Sequence, residues 1–160
     1  MAYINKIVVN GAEVNANQLE GILDKNGNAR FVEGNGVVDP SVNSTYCKWS
    51  LSGTHLMLVS AFYVENGESI SQYKTLGSYS MPSWILAKIV TMTGASTGNI
   101  SAKIIQGMGA SAFPVSDEEL STYLQKQSES LILSNDIAYT NNSGETVYFR
   151  VQFDLIIDNE

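Results

Sequence analysis

The sequence predicts an all-β protein: an antiparallel, jelly-roll-like β-sandwich with one or two short helices. Charged residues make up only 16% of the 160-residue chain. Asn, Ser, Thr and Gly, which favour tight turns, fill most of the other polar positions. Several segments alternate apolar and polar residues with the period of two that a half-buried strand requires. Clusters of Asn, Gly and Ser separate these segments, as in sandwiches and barrels.

Residues 1–40 are predicted to form a small N-terminal arm. The stretch "YINKIVVNGAEV" predicts two short strands joined at Asn10-Gly11, a dipeptide typical of two-residue hairpins. At most two helical turns are expected near Leu19. The stretch "GNGVVDPSVNS" is rich in turn residues and marks a domain boundary near residue 40, with the head domain at 41–160. An arm of this size buries little surface alone, so we expect it to pack on a neighbour or on another protein.

Two strands are predicted on either side of a turn at Ser52-Gly53. In the first, Cys47, Trp49 and Leu51 share one face. The second, 54–64, is apolar on both faces, so both faces must be covered. One face consists of Leu56, Leu58, Ser60, Phe62 and Val64. The other face is predicted to line a subunit interface and consists of His55, Met57, Val59, Ala61 and Tyr63.

The middle of the chain carries the helix signals. Pro82 suits the start of a helix in "PSWILAKIV", which Gly94 is expected to close. "GNISAKIIQ" predicts a strand. Ser116-x-x-Glu119 matches a capping box and predicts a second short helix over 116–127, with a structured loop as the alternative.

The last strand has the clearest alternation in the chain. One face carries Val147, Phe149, Val151, Phe153, Leu155 and Ile157, and the other carries Tyr148, Arg150, Gln152, Asp154 and Asp158. A strand this long is predicted to lie inside a sheet rather than at its edge.

Charge and composition exclude several partners. The net charge is −7 and only two arginines occur, which argues against a nucleic-acid surface. Cys47 is the only cysteine, so no intrachain disulfide can form, and we expect it to be a small buried hydrophobe. No apolar run approaches the ~18 residues of a membrane span. The N-terminus does not match a signal peptide, so synthesis in a cytoplasm is expected.

Catalytic constellations are not found in the sequence. With one histidine, His55, and one cysteine, no zinc or Cys–His site can be assembled. His55 is expected in a strand or subunit contact. Asp154 and Asp158 lie ~13 Å apart along a strand, too far for the carboxylate pair of a glycosidase. We therefore predict no enzymatic activity and no cofactor.

Three stretches resemble the small C-terminal head domains of bacteriophage tail-fibre and receptor-binding proteins. They are "YCKWSLSGTHLMLV", "LGSYSMPSWILAKIV" and "VYFRVQFDLIID"; in the second, Met81 stands where the family pattern has leucine. Together the resemblance spans about residues 44–158. It implies a jelly-roll-like sandwich that assembles as a homotrimer on the virion surface, with residues 1–40 joined to other virion proteins.

Two alternatives to a receptor-binding appendage stay open. Receptor-binding chains are usually longer and carry shaft segments, so a capsid head fibre or decoration protein could use the same domain. A bacterial carbohydrate-binding module is the alternative from a different class.

The resemblance also suggests a host glycan or a host protein as partner. A trimer would carry 3 × (−7) = −21 charges, which disfavours an anionic polymer. Sugar sites use exposed aromatic rings beside polar hydrogen-bonding groups. The candidates are Tyr73, Tyr79, Tyr123 and Tyr139, with half-buried strand or interface positions as the alternative for each.

Overall fold

The computed structural model describes residues 6–9, 12–15, 32–39 and 43–157. Within them the chain forms twelve strands and one helix, which confirms the all-β prediction. The elements are β1 (Lys6–Val9), β2 (Ala12–Asn15), β3 (Val32–Val38), β4 (Ser44–Ser52), β5 (His55–Val64), β6 (Ser69–Ile70), β7 (Thr75–Ser80), α1 (Ser83–Ala87), β8 (Gly98–Met108), β9 (Pro114–Lys126), β10 (Ser130–Asn135), β11 (Tyr139–Thr140) and β12 (Val147–Ile156).

Eight antiparallel strands form one closed barrel in the order β10-β7-β3-β4-β5-β12-β8-β9. Two further sheets have two strands each, β1–β2 and β6–β11. The finer prediction of a jelly-roll-like sandwich is not confirmed, because neighbouring strands form a closed ring rather than two facing sheets. In this ring β5 has a paired neighbour along both of its edges, β4 on one side and β12 on the other.

The core lies inside this ring. The predicted inward faces of the β4 strand and the β12 strand are both confirmed: Trp49, Leu51, Phe149 and Phe153 are buried. The rings of Phe62 and Phe149 stack with centroids 5.5 Å apart. β12 lies between β5 and β8, so the predicted interior position of the last strand is also confirmed.

The predicted boundary near residue 40 is wrong, because β3 is a barrel strand between β4 and β7. Glycine makes this possible. A Cβ on Gly34 would lie 2.0 Å from Trp49 Cε2, so only glycine lets the indole cross β3. The indole Nε1 then donates a hydrogen bond to the Ser80 carbonyl at 2.8 Å. The head domain therefore includes Val32 onward.

The arm predictions have mixed outcomes. The hairpin around Asn10-Gly11 is confirmed, since Val9 pairs with Ala12. The helical turns predicted near Leu19 lie outside the described residues.

Of the two predicted helices, the structure forms one. α1 follows Pro82 as predicted but ends at Ala87, well before Gly94. Residues 114–126 are the long strand β9, so a helix over 116–127 is wrong. The spacing of Leu120 and Leu124 fits both a helix and a strand. Thr122 between them is buried as well, so every second residue is buried, as in a strand. β8 and β10 pair with β9 on its two sides and decide the outcome.

The barrel has two distinct ends. At one, here called the entry end, β3 begins at Val32 and β12 is followed by Ile157, whose N–H donates to the Thr54 carbonyl at 2.9 Å. α1 and the residues after it lie at the same end, where Lys126 Nζ donates to the Ile89 carbonyl at 2.8 Å. The opposite end, here called the far end, carries the loops 65–74, 109–113 and 136–146 and the β6–β11 sheet.

Candidate interaction surfaces

The residues predicted to line a subunit interface form one row on the outer face of β5. His55 is exposed, Met57, Ala61 and Tyr63 are half-buried, and Val59 is 7% exposed. The alternate residues Leu56, Leu58 and Phe62 point into the barrel. The predicted division of the strand into two faces is therefore confirmed, and the subunit contact itself stays a prediction.

Polar and charged side chains border this row. On β12, Gln152 Nε2 donates to the Asp154 carboxylate at 3.3 Å, and Asp154 Oδ1 lies 3.9 Å from His55 Nε2. Towards the far end the rings of Tyr63 and Tyr148 are 5.7 Å apart. An apolar centre with a polar rim is the usual anatomy of a protein–protein contact.

Beside this row lies a cleft of about 620 Å³, here called the β3–β5 cleft. Its lining residues come from three strands and are Glu33, Gly34, Asn35, Lys48, Trp49, Ser50, Met57 and Val59. The lining combines a carboxylate, an ammonium, an amide and a hydroxyl with three apolar residues, Trp49, Met57 and Val59. This set can hydrogen-bond a polar group and cover an apolar one at once. The sequence analysis missed the cleft because β3 was assigned to the arm.

Of the four candidate tyrosines, two keep a ring that a ligand could reach. Tyr73 is 63% exposed in the loop before β7 and has a φ of 60°. Tyr123 is half-buried on β9, with its neighbours Thr122 and Leu124 buried. A ligand role for these two stays a prediction.

The other two tyrosines are buried, and the prediction that they bind a ligand is corrected on that ground. Tyr79 is 0% exposed, and its hydroxyl lies 2.8 Å from Ser60 Oγ. Tyr139 is 8% exposed, and its hydroxyl donates to the Glu118 carboxylate. A ring without an exposed face cannot stack on a sugar. The four tyrosines therefore do not form one site.

Cys47 belongs to a buried polar group inside the barrel. Ser60 Oγ donates to Cys47 Sγ at 3.2 Å and also contacts Tyr79. Burial raises the pKa of the Cys47 thiol, and burial also raises the pKa of the Tyr79 hydroxyl well above its usual value. Both groups are therefore neutral at physiological pH, and the predicted burial of Cys47 is confirmed.

The tip of the β8–β9 hairpin exposes a large aromatic ring at the far end. Phe113 is 74% exposed, and a cleft of about 520 Å³ opens beside it. The lining residues are Gln106, Pro114, Val115, Ser116, Asp117 and Glu119. Ala112 and Asp117 have φ values of 58° and 62°, a conformation that costs energy in residues other than glycine. The sequence analysis treated this stretch as loop and helix and missed the surface.

Neither a metal site nor a membrane-spanning helix is found within the described ranges. There, His, Cys, Asp and Glu side chains form no group of three or more that could hold a metal ion. The only helix of those ranges, α1, is too short to span a bilayer.

Comparisons with known proteins are sparse. No family model and no curated protein matches the chain. Among solved structures, the reovirus attachment protein sigma1, in complex with alpha-2,3-sialyllactose, aligns with a TM-score of 0.40 and 8% sequence identity. The alignment covers 98% of this chain and 88% of that chain. A likeness of this degree supports no argument about fold or function, so the function is argued from the residues of the chain itself.

Proposed function

We propose that the chain is a non-enzymatic structural protein of a bacteriophage virion, displayed on the particle surface as a trimeric tail or baseplate appendage that contacts the host cell. The observation that carries the proposal is the resemblance of three separate stretches to phage head domains. These stretches fold as β4–β5, as β7–α1 and as β12. In the barrel, β4, β5 and β12 are direct neighbours, and only β3 separates β4 from β7. The resemblance therefore covers four of five consecutive strands of the barrel.

The end of the barrel at which the chain enters supports attachment to a particle. β3 begins and β12 ends at the entry end. An N-terminal connection to the virion therefore leaves from the entry end, and the far end points away from the particle. The far end is then the surface available to a host cell.

Assembly as a trimer is proposed through the outer face of β5. Met57, Ala61 and Tyr63 keep exposed apolar surface there, and Tyr148 of β12 adds to it. Neighbouring copies around a threefold axis would remove this surface from water, at a gain of roughly 25 cal/mol per Å².

The proposed contact with the host uses the hairpin tip at the far end. Phe113 supplies an exposed ring, and Gln106, Ser116 and Asp117 supply hydrogen-bonding groups around the 520 Å³ cleft. The charge of −7 per chain favours a neutral glycan or a protein surface over a polyanion. Several weak contacts on one particle would add up through avidity.

The proposal is tested by locating the protein on the phage and measuring adsorption. Antibody-labelled particles are imaged, and adsorption to host cells is compared for wild-type phage and phage without the protein. Label at the tail or baseplate together with reduced adsorption is expected. Label on the capsid with normal adsorption would replace this function with that of a head fibre or decoration protein. Particles without label would overturn the virion assignment.

A matched pair of variants tests the role of the far end. Phe113→Ser should lower adsorption while the amount of protein per particle stays unchanged. Val90→Ser is the control, because Val90 is similarly exposed but lies at the entry end. Equal adsorption by the two variant phages would reject the hairpin tip as the contact surface.

A further inference from the structure

β12 and β8 are neighbours in the ring, but they are paired at one position. Along β12, every residue from Val147 to Ile156 has a partner in β5. On the other side, within the described residues, only Tyr148 pairs, with Met108 of β8. That pair lies at the far end. The unpaired stretch between the two strands, here called the β8–β12 gap, therefore runs from this pair to the entry end.

The contact of Lys103 shows which backbone groups face the gap. Lys103 Nζ donates to the Gln152 carbonyl and lies 5.5 Å from the centroid of the Phe153 ring. Backbone groups of a strand alternate between its two sides, so Arg150, Asp154 and Ile156 present theirs to the gap as Gln152 does. A row of unpaired backbone N–H and C=O groups can accept an added strand. Proteins commonly block such an edge with a lysine. The lysine side chain is flexible, so the block is removable.

The β1–β2 hairpin is the complementary feature. It pairs only with itself among the described residues and stands outside the barrel ring. Each of its strands has four residues. A two-stranded hairpin of this size is marginally stable alone and needs a surface to pack on. Its two outer edges carry the same kind of backbone row as the gap.

Chain length and position allow the two features to meet. Residues 16–31, sixteen in all, connect the hairpin to Val32 at the entry end. A segment of this length can span at most ~55 Å. The gap opens at the same end of the barrel, so the segment is long enough to bring the hairpin to the gap of its own barrel or to that of a copy packed beside it.

We propose that the β1–β2 hairpin of one copy docks by strand addition in the β8–β12 gap of a neighbouring copy. A second copy is favoured as the donor because β12 is shared by the gap and by the outer face proposed as the subunit interface, so the choice of donor rests on the proposed assembly. A hairpin docked there continues that interface. The added strand supplies main-chain hydrogen bonds, as in other cases of strand addition. How the copies join is independent of what the assembly contacts, so this proposal stands or fails separately from the proposed host contact.

Cross-linking between differently labelled full-length chains tests the proposal. An unlabelled chain with a photoreactive phenylalanine analogue at Val8 is mixed in urea with an excess of ¹⁵N-labelled chain, refolded so that mixed assemblies form, irradiated and digested. We expect cross-links from the light hairpin to heavy peptides that contain residues 98–104 or 150–156. Cross-links only within light chains would place the hairpin on its own barrel and overturn the proposal, and so would cross-links confined to other surfaces. The same probe at Ser111, on the far-end tip, is the control and should not reach the gap.

A backbone substitution then tests the hydrogen bonds. Asp154→Pro removes an N–H that faces the gap and leaves the ladder to β5 in place. It should weaken docking by roughly tenfold, through the lost hydrogen bond and the clash of the ring. Asp154→Ala keeps the N–H and should cross-link like the wild type. Wild-type cross-linking by a folded Asp154→Pro chain would reject strand addition. If that variant does not fold, the labelled-chain experiment still decides the question.

Discussion

The two faces of β5 are both apolar in sequence, but they differ in what covers them. Leu56, Leu58 and Phe62 are at most 1% exposed, because the other strands of the barrel surround them. Met57 and Tyr63, on the outer face, are only half-buried. The comparison shows that an apolar face of a strand has to be buried, but its sequence does not say by what. One face of β5 is buried in the core of its own chain, and the other is proposed to be buried between chains.

The largest loss of stability is expected from a substitution on the inner side of the barrel. Phe153→Ala should lower the free energy of unfolding by ~3–5 kcal/mol, because it removes a ring that is 1% exposed and leaves a cavity. Ile156→Ala is the control in the same strand. Its side chain is 73% exposed, so the change should stay within ~0.5 kcal/mol. Urea unfolding measures both, and equal losses would show that the two faces of β12 are not distinguished by burial.

The outer side is tested by Val59→Asp. A carboxylate at the centre of the proposed interface would lose its water on assembly. Lys48, which pairs with position 59 across the strands, offsets part of that cost, so assembly should weaken by up to about 3 kcal/mol. Light scattering with circular dichroism separates the outcomes. A folded monomer supports the interface, an unfolded chain assigns Val59 to the core of one subunit, and an unchanged oligomer rejects both. Val37→Asp is the control, since Val37 is 67% exposed on β3.

A third variant sharpens the comparison by adding one methyl group on the inner side. Gly34→Ala would bring its Cβ within 2.0 Å of the Trp49 ring, so the indole must move. Overpacking of this kind typically costs ~1–3 kcal/mol. Gly77→Ala is the matched control, because its Cβ would meet its nearest neighbour at an ordinary 3.6 Å. If thermal unfolding shows the same midpoint for both variants, the close approach of β3 and Trp49 is wrong.

Alkaline pH should gradually lower the free energy of unfolding through Tyr79, on the inner side of the barrel. Burial raises the pKa of Tyr79, so the folded state keeps its proton while the unfolded state loses it above a pH of about 10. The contribution of Tyr79 to stability is therefore intact below pH ~10 and falls as pH rises further, by about 1.4 kcal/mol per pH unit. Tyr79→Phe cannot ionise and should show a shallower decline between pH 10 and 11 in urea unfolding. Parallel declines would mean that Tyr79 ionises freely in the folded state.

Much of the barrel was predictable where one strand carries its own pattern. Strict alternation in β4 and β12 predicted which side chains are buried, and Asn10-Gly11 predicted the first hairpin. β9 was not predictable in this way, since Leu120 and Leu124 fit both a helix and a strand. β3 was missed for a similar reason: Gly34 and Gly36 have no side chains to alternate, and their role depends on Trp49 and Cys47 of another strand.

The candidate surfaces were predictable only in part. The interface row on β5 follows from one strand, so the sequence analysis identified its members. The β3–β5 cleft and the hairpin tip combine residues from several segments, and no single segment shows them. Tyr79 and Tyr139 were placed among exposed candidates because a tyrosine next to polar residues looks the same in sequence whether it is exposed or buried.

The sequence by itself determined the all-β class, the two faces of β5 and β12, the hairpin at Asn10-Gly11 and the burial of Cys47, because each depends on residues within one strand or turn. Only the tertiary structure decided that the sheet closes into a barrel, that β3 belongs to it, and that β8 and β12 diverge after a single pair. These features depend on which distant strands pair and on how closely their side chains approach. The pattern of one segment sets which residues must be buried, whereas the pairing of segments sets what buries them.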